Sequence, residues 1–231
     1  MRLRITSVLL LAVALAACAP AGATTLWYSG DDNGQNGWIN QNNAVFSGEV
    51  WYNEFVVPTA WNVTSVWSVN SFTLGPPAAT TAAWEIRSNL AQYTTGGTLV
   101  ASGDATATLV LTGLTSVSGL PDYQVLISGL NVSLSPGTYW LAVSPDNTNG
   151  GYAYNGQTNG LNGIGTPTGY NGNLFASIDG GLTWGGPSAA STSAGIGGSP
   201  SGSPTPEPSS LVLLGTGALG LAAVIRRKLS I

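Results

Sequence analysis

Between residues 24 and 184, short apolar stretches alternate with turn-forming residues, and this pattern constrains the fold more than any other feature of the chain. Runs rich in Val, Ile, Thr, Tyr and Trp are interrupted about every 8 to 12 residues by Gly, Asn, Pro or Asp, a spacing typical of sandwiches and barrels. Residues 63–69 alternate with the period of a half-buried strand, and no stretch outside the termini has helical periodicity. The sequence therefore predicts an all-β fold, specifically an antiparallel two-sheet sandwich of the jelly-roll type.

Residues 1–23 have the organisation of a secretory signal peptide, with Arg2 and Arg4 before an apolar run that ends in small residues. We expect cleavage after Ala23. The alternative site is Leu15-Ala16-Ala17-Cys18, which resembles the lipobox of bacterial lipoproteins and would leave a lipidated Cys18 as the mature N-terminus. Since the chain has one Cys, no disulfide can form within it in either case.

The segment 185–205 consists almost wholly of Gly, Ser, Ala, Pro and Thr, with Ile196 as its one larger apolar residue. Such a segment buries too little apolar surface to offset its chain entropy. We therefore predict a flexible linker here, between a folded domain at 24–184 and a terminal segment at 206–231.

The terminal segment 206–231 combines three features in order: Pro206-Glu207-Pro208, an uncharged stretch at 209–225, and Arg226-Arg227-Lys228. The uncharged stretch is just long enough for one transmembrane helix with snorkelling flanks, and the basic triplet predicts a cytoplasmic C-terminus. This arrangement resembles the PEP-CTERM sorting domain of Gram-negative bacteria.

The PEP-CTERM resemblance implies export through the Sec machinery, an inner-membrane precursor, and cleavage near residues 206–208 by an exosortase. The mature form would then be a cell-surface or extracellular protein, with exopolysaccharide as a candidate partner. The stretches 50–58, 83–87, 97–103 and 134–143 also resemble the body of uncharacterised anchored bacterial surface proteins with a jelly-roll domain. That second resemblance brings no catalytic residue with it.

The distribution of charge excludes several functions. Arg87 is the one basic residue between 24 and 200, against nine of the chain's ten acidic residues, so a nucleic-acid partner is not expected. The absence of His excludes the usual triads and most zinc sites. We therefore expect no enzymatic activity and no required cofactor.

Carboxylates offer two further hypotheses. Glu49, Glu54 and Glu85 are the groups a glycan hydrolase would use, although Glu85 and Arg87 share a strand face and predict an ordinary ion pair. The polar loops around Asp31, Asp32 and Asp146 carry oxygen donors that suit a structural calcium ion, but lack the EF-hand spacing; two plain turns are the simpler interpretation.

Aromatic residues suggest a carbohydrate-binding alternative. Trp38, Tyr152, Tyr154 and Tyr170 lie among Gly and Asn and are the aromatic residues that we expect to be exposed and able to stack on sugars. Trp140 is expected to face the opposite way from Leu141 on a core strand.

The segment 177–184 matches the Asp-box of sialidases. This resemblance implies a structural hairpin and not an active site, because a sialidase also needs an arginine cluster.

These observations predict an exported, exosortase-sorted surface or extracellular-matrix protein with a non-catalytic domain. The alternative is a lectin-like carbohydrate-binding module, whose sugar binding could depend on calcium. A carboxylate-based glycan hydrolase is the third hypothesis.

Overall fold

The computed structural model describes residues 24–42, 49–78, 80–91, 96–146, 149–177, 184–188, 190–201 and 217. All of its named elements are β-strands, which confirms the all-β prediction. The strands are β1 (Thr24–Tyr28), β2 (Asp32–Ile39), β3 (Val50–Val57), β4 (Trp61–Phe72), β5 (Thr80–Ser88), β6 (Thr98–Thr115), β7 (Pro121–Leu134), β8 (Gly137–Pro145), β9 (Ala153–Thr158), β10 (Leu174–Ser177), β11 (Trp184–Ser188) and β12 (Ala194–Pro200).

The strands form one hydrogen-bonded sheet in the order β1-β12-β4-β7-β6-β5-β8-β3-β10-β11, and β9 joins β2 to β4 beside this path. Every strand pair is antiparallel, as predicted. The separation into two sheets is not confirmed, because the long strand β6 pairs with β5 through residues 98–107 and with β7 through residues 108–115. One strand therefore belongs to both parts of a curled sheet.

The main core lies where the two parts of the curled sheet face each other. Phe55 of β3 contacts Trp27 of β1 and Trp61 of β4, with ring centroids 5.5 and 6.2 Å apart. Leu141 of β8 and Ile127 of β7 are fully buried in the same cluster. Each fully buried side chain of this size contributes roughly 1.5–3 kcal/mol, so this cluster is the main source of stability.

A second, smaller cluster covers the opposite face of β3 and β8. Trp140 and Phe175 pack edge to face, 6.1 Å apart, together with Tyr52. Since Leu141 belongs to the main core, the expected alternation of Trp140 and Leu141 is confirmed. Both faces of β3 and β8 therefore carry apolar side chains. The polar side chains on the outer face of this part of the sheet lie beside the second cluster.

The prediction of a flexible linker is wrong for residues 194–200, which form β12 between β1 and β4. Ile196 is fully buried there. The small residues of this segment permit close packing: a Cβ at Gly195 would lie 2.3 Å from the Trp67 ring. Most of the apolar surface around β12 is thus supplied by the neighbouring strands, and Ile196 is the one large apolar side chain that β12 adds.

Residues 185–188 of the predicted linker belong to β11, which begins at Trp184 and pairs with β10. The folded body therefore continues to Pro200, well past the boundary at residue 184 that the sequence predicts.

The predicted signal peptide at 1–23, including Cys18, lies outside the described residues. So does the sorting and anchor segment at 206–231, apart from Gly217. In the part of the chain that the structure describes, no helix has the length and apolar character needed to cross a membrane.

Candidate functional site

Two charged residues lie on the outer face of the sheet, one on each side of Trp140 in the second cluster. The register places Glu54 of β3 and Arg87 of β5 on either side of Trp140 of β8. Residues that lie opposite one another in neighbouring strands share a face, so Glu54, Trp140 and Arg87 point the same way.

Glu85 is the centre of the hydrogen bonds in this region. Arg87 Nε donates to Glu85 Oε2 at 2.6 Å, and the Tyr52 hydroxyl donates to the same oxygen at 2.9 Å. A second Arg87 nitrogen donates to the Gly96 carbonyl at 3.1 Å. The predicted Glu85–Arg87 ion pair is therefore confirmed, and its members hold each other in place.

The electrostatics of this group follow from its burial. Burial, and then the charge of Glu85, raise the pKa of Tyr52 above its ordinary value. Burial by itself lowers the pKa of Arg87, but the hydrogen bond and charge of Glu85 raise it overall. At neutral pH this is an ion pair with a neutral tyrosine, and Arg87 is engaged within the protein.

The three carboxylates proposed for hydrolysis lie at three separate positions in the fold. Glu54 accepts hydrogen bonds from the side-chain amides of Asn171 and Asn173. Since β8 lies between β3 and β5, the strands that carry Glu54 and Glu85 are about 10 Å apart, twice the usual strand spacing. Glu49 lies before β3, where it forms an isolated bridge with Gln41 and burial raises its pKa.

A cavity of about 260 Å³ lies on the same outer face, with Glu85, Asp104 and Asn42 among its lining residues. These groups are mainly hydrogen-bond acceptors. Tyr52 also lines the cavity but is 3 % exposed, so it offers no open ring face for stacking.

The aromatic residues predicted to bind sugars are only partly brought together. Tyr152 and Tyr154 contact each other, with ring centroids 5.9 Å apart. Trp38 instead packs on Trp51 at 5.4 Å. Because Trp38 lies opposite Asn155 whereas Tyr154 lies opposite Ile39, Trp38 and Tyr154 are on different faces of the β2–β9 pair.

Tyr170, the fourth of these aromatic residues, precedes β10 and is 59 % exposed, as expected of a loop tyrosine.

The aspartates predicted to bind calcium also have separate partners. Asp31 accepts hydrogen bonds from the Tyr28 hydroxyl at 2.9 Å and from Asn162 at 2.8 Å. Asp146 accepts one from Thr81 at 2.5 Å. Among the described residues no group of three or more His, Cys, Asp or Glu side chains is placed to hold a metal ion, so Asp31, Asp32 and Asp146 are not joined in one site.

Asp32 instead faces Asp122, a pairing that sequence reasoning did not find. Asp122 is the second residue of β7 and is fully buried, and Asp32 is 7 % exposed. Burial, and then the charge of Asp32, raise the pKa of Asp122 to about 7, and burial raises that of Asp32. No local pattern marks Asp122, because its partner is distant in the chain.

The Asp-box segment has the strand pairing expected of a hairpin. β10 and β11 are antiparallel, with Ser177 opposite Trp184. The intervening residues 178–183, with Asp179, lie outside the described residues.

Comparison with known proteins identifies one segment of the chain. Residues 204–228 match the PEP-CTERM protein-sorting motif, which includes Pro206-Glu207-Pro208 and ends at Lys228. This match supports the sorting-domain prediction, and implies export, anchoring of the precursor by its C-terminal region, and exosortase as the processing partner. Neither the curated proteins nor the solved structures contain a significant match to the chain.

Proposed function

We propose that this chain is an exported protein, sorted by an exosortase, that acts at the cell surface or in the extracellular matrix through a non-catalytic β-domain. The match to the PEP-CTERM sorting motif at 204–228 carries this proposal. In the precursor, residues 1–23 direct Sec export and residues 209–225 cross the inner membrane, with the basic triplet on the cytoplasmic side.

The positions of the described strands support this order of processing. β1 begins at Thr24, directly after the expected signal-peptide cleavage at Ala23. β12 ends at Pro200, and the sorting motif begins at residue 204. The described strands therefore all lie in the part of the chain that remains once both ends have been processed.

The body is best interpreted as a sandwich of jelly-roll type in which the two parts of the curled sheet act as its layers. The single core shared by β1, β4, β3 and β8 supports this interpretation. Hydrogen bonds within the protein engage both Glu54 and Glu85, which favours a structural role for these carboxylates over hydrolysis. A sugar-binding platform has less support, since Trp38 packs on Trp51 and away from Tyr154.

The sorting proposal is tested by expressing the full chain in an exosortase-containing host and in the same host without its exosortase. Mass spectrometry of the protein should find a new C-terminus near residues 206–208 in the first host and the intact Arg226-Arg227-Lys228 end in the second. The variant Glu207→Ala should accumulate as the unprocessed membrane form, whereas the control Ser201→Ala should be processed normally. An intact C-terminus on surface protein of the exosortase-containing host would refute the proposal.

A further inference from the structure

We propose that the cavity on the outer face of the sheet, where β6, β5 and β8 run side by side, binds the primary ammonium group of an alkyl chain. The cavity has a volume of about 260 Å³, and Glu85, Asp104 and Ser144 are among its lining residues. The proposal uses none of the residues of the sugar-binding and calcium hypotheses drawn from the sequence. It does not depend on the sorting proposal.

The register of the three strands builds this cavity. Two adjacent rows of residues cross β6, β5 and β8 in that order, namely Asp104, Ala83 and Ser144, and then Ser102, Glu85 and Ala142. Residues that face one another in neighbouring strands have Cβ atoms about 4.5–5.5 Å apart and share a face of the sheet. Ala83 and Ala142 have no side-chain atoms beyond Cβ, so a depression remains between the longer polar side chains.

The hydroxyl of Ser144 is an indication of a ligand that does not come from an acidic group. Its neighbour Val143 belongs to the main core, so Ser144 faces the opposite side of β8, where the cavity lies. Ser144 is 1 % exposed, yet within the described part of the chain its Oγ has no hydrogen-bond partner. Enclosed hydroxyl groups are normally paired, because an unpaired one loses its bonds to water without compensation. A ligand in the cavity would supply the missing partner.

The two carboxylates of the cavity have acceptor capacity that the protein leaves open. Arg87 and Tyr52 both donate to Oε2 of Glu85, which leaves Oε1 available. Asp104 is exposed on β6 and has no ion-pair partner among the described residues. Arg87, the one basic residue in that part of the chain, is engaged with Glu85 and does not line the cavity. The cavity therefore favours a positively charged ligand.

An ammonium group matches this set of acceptors. It has three N–H donors and no acceptor, and the cavity offers Oε1 of Glu85, the carboxylate of Asp104 and Oγ of Ser144. A neutral hydroxyl group has one donor and would leave acceptors unpaired. A metal ion is a poorer match, because the described residues contain no group of three or more His, Cys, Asp or Glu side chains placed to hold one.

The apolar part of the lining suits an alkyl chain. Val50, Ala83 and Ala142 line the cavity beside the polar groups and can contact methylene groups. If each group needs roughly the 30 Å³ of a water molecule, an ammonium group and four methylenes fit within the available volume. Two sources offer this chemistry: a free alkyl diamine and a lysine side chain of another protein.

The test uses the full chain purified in an uncharged detergent. Isothermal titration with n-butylammonium chloride should give saturable binding that weakens as NaCl is added, because one of the two carboxylates is exposed to salt. Butanol, which has the same alkyl chain without the charge, should not bind. No saturable binding of n-butylammonium, or equal binding of butanol, would overturn the proposal. Cadaverine and Nα-acetyl-lysine amide then distinguish the two sources by which of them binds more tightly.

Variants locate the binding to this cavity. Asp104→Asn should bind n-butylammonium about tenfold more weakly, since it removes an ionic hydrogen bond. Ser144→Ala should bind several-fold more weakly without losing thermal stability, because the hydroxyl has no partner in the protein. Ala83→Leu should abolish binding by filling the depression. The control Asp31→Asn removes the same charge from a residue that does not line the cavity and should bind like the wild type.

The exposed position of Asp104 makes its variant the decisive one if Ser144→Ala or Ala83→Leu fails to fold. Binding by Asp104→Asn that equals the binding by Asp31→Asn would show that the ammonium group binds elsewhere, and would refute the assignment.

Discussion

Thr24, the first residue of β1, lies opposite Gly198 in β12. Because these strands are antiparallel, the start of the first described strand and the end of the last one lie side by side. The predicted signal peptide and the segment that leads to the sorting motif therefore leave the described strands at neighbouring points. The stability of this arrangement depends on β12, which lies between β1 and β4.

A chain shortened to end at residue 184 should fail to fold cooperatively, whereas a chain that ends at residue 201 should fold. The shorter chain lacks β12, so β1 loses its strand partner and residues 61–68 of β4 lose the hydrogen bonds along one edge. Thermal unfolding followed by circular dichroism distinguishes the two. Equal, cooperative transitions in both chains would show that β12 is dispensable.

The substitution Ile196→Ala should lower the free energy of unfolding by about 2–5 kcal/mol, the usual cost of truncating a fully buried branched side chain. Urea denaturation measures this difference. Leu111→Ala is the control, since Leu111 is 60 % exposed and its truncation should change stability by less than about 0.5 kcal/mol. Equal effects of the two substitutions would contradict the burial of Ile196.

Gly195→Ala should destabilise the protein by about 1–3 kcal/mol, because the new Cβ would overlap the Trp67 ring, 2.3 Å away. The shift should appear in both thermal and urea unfolding. Gly185→Ala is the matched control: the nearest atom to its Cβ is the Ala176 carbonyl oxygen at 4.0 Å. A stable Gly195→Ala variant would mean that Trp67 does not lie over β12.

Above about pH 10 the free energy of unfolding should fall as the pH rises. Burial raises the pKa of Tyr52 in the folded protein, so Tyr52 keeps its proton there while the unfolded chain loses it near pH 10. The raised pKa contributes stability below pH 10, and this contribution is lost as the pH rises toward the folded-state pKa.

The variant Tyr52→Phe should therefore lose stability less steeply between pH 9 and 11, by up to about 1.4 kcal/mol per pH unit. Its stability at pH 8 will also change, because it lacks the hydrogen bond to Glu85. The slope is the diagnostic quantity, measured by urea denaturation at each pH. Parallel slopes for Tyr52→Phe and the wild type would disprove the prediction.

Much of the strand content could be predicted from the sequence because it follows from local periodicity. The alternation of Trp140 and Leu141 and the Glu85–Arg87 pair each depend on residues one or two apart, and the structure confirms both. The sorting motif is also local, and residues 204–228 match it independently.

The errors arose where long-range pairing overrides local composition. Residues 194–200 have the composition of a linker, yet β1 and β4 supply hydrogen bonds and apolar surface on both sides. The path of β6 from one part of the sheet to the other likewise depends on which strands flank it.

By itself, the sequence determined the strand period, the near absence of basic residues from the body, and the sorting motif, since each is a property of neighbouring residues. Only the tertiary structure decided that β12 is an interior strand and that Asp32 faces Asp122. The physical reason is that both result from contacts between distant segments, whose free energy comes from hydrogen bonding and burial across the sheet and leaves no signature in local sequence.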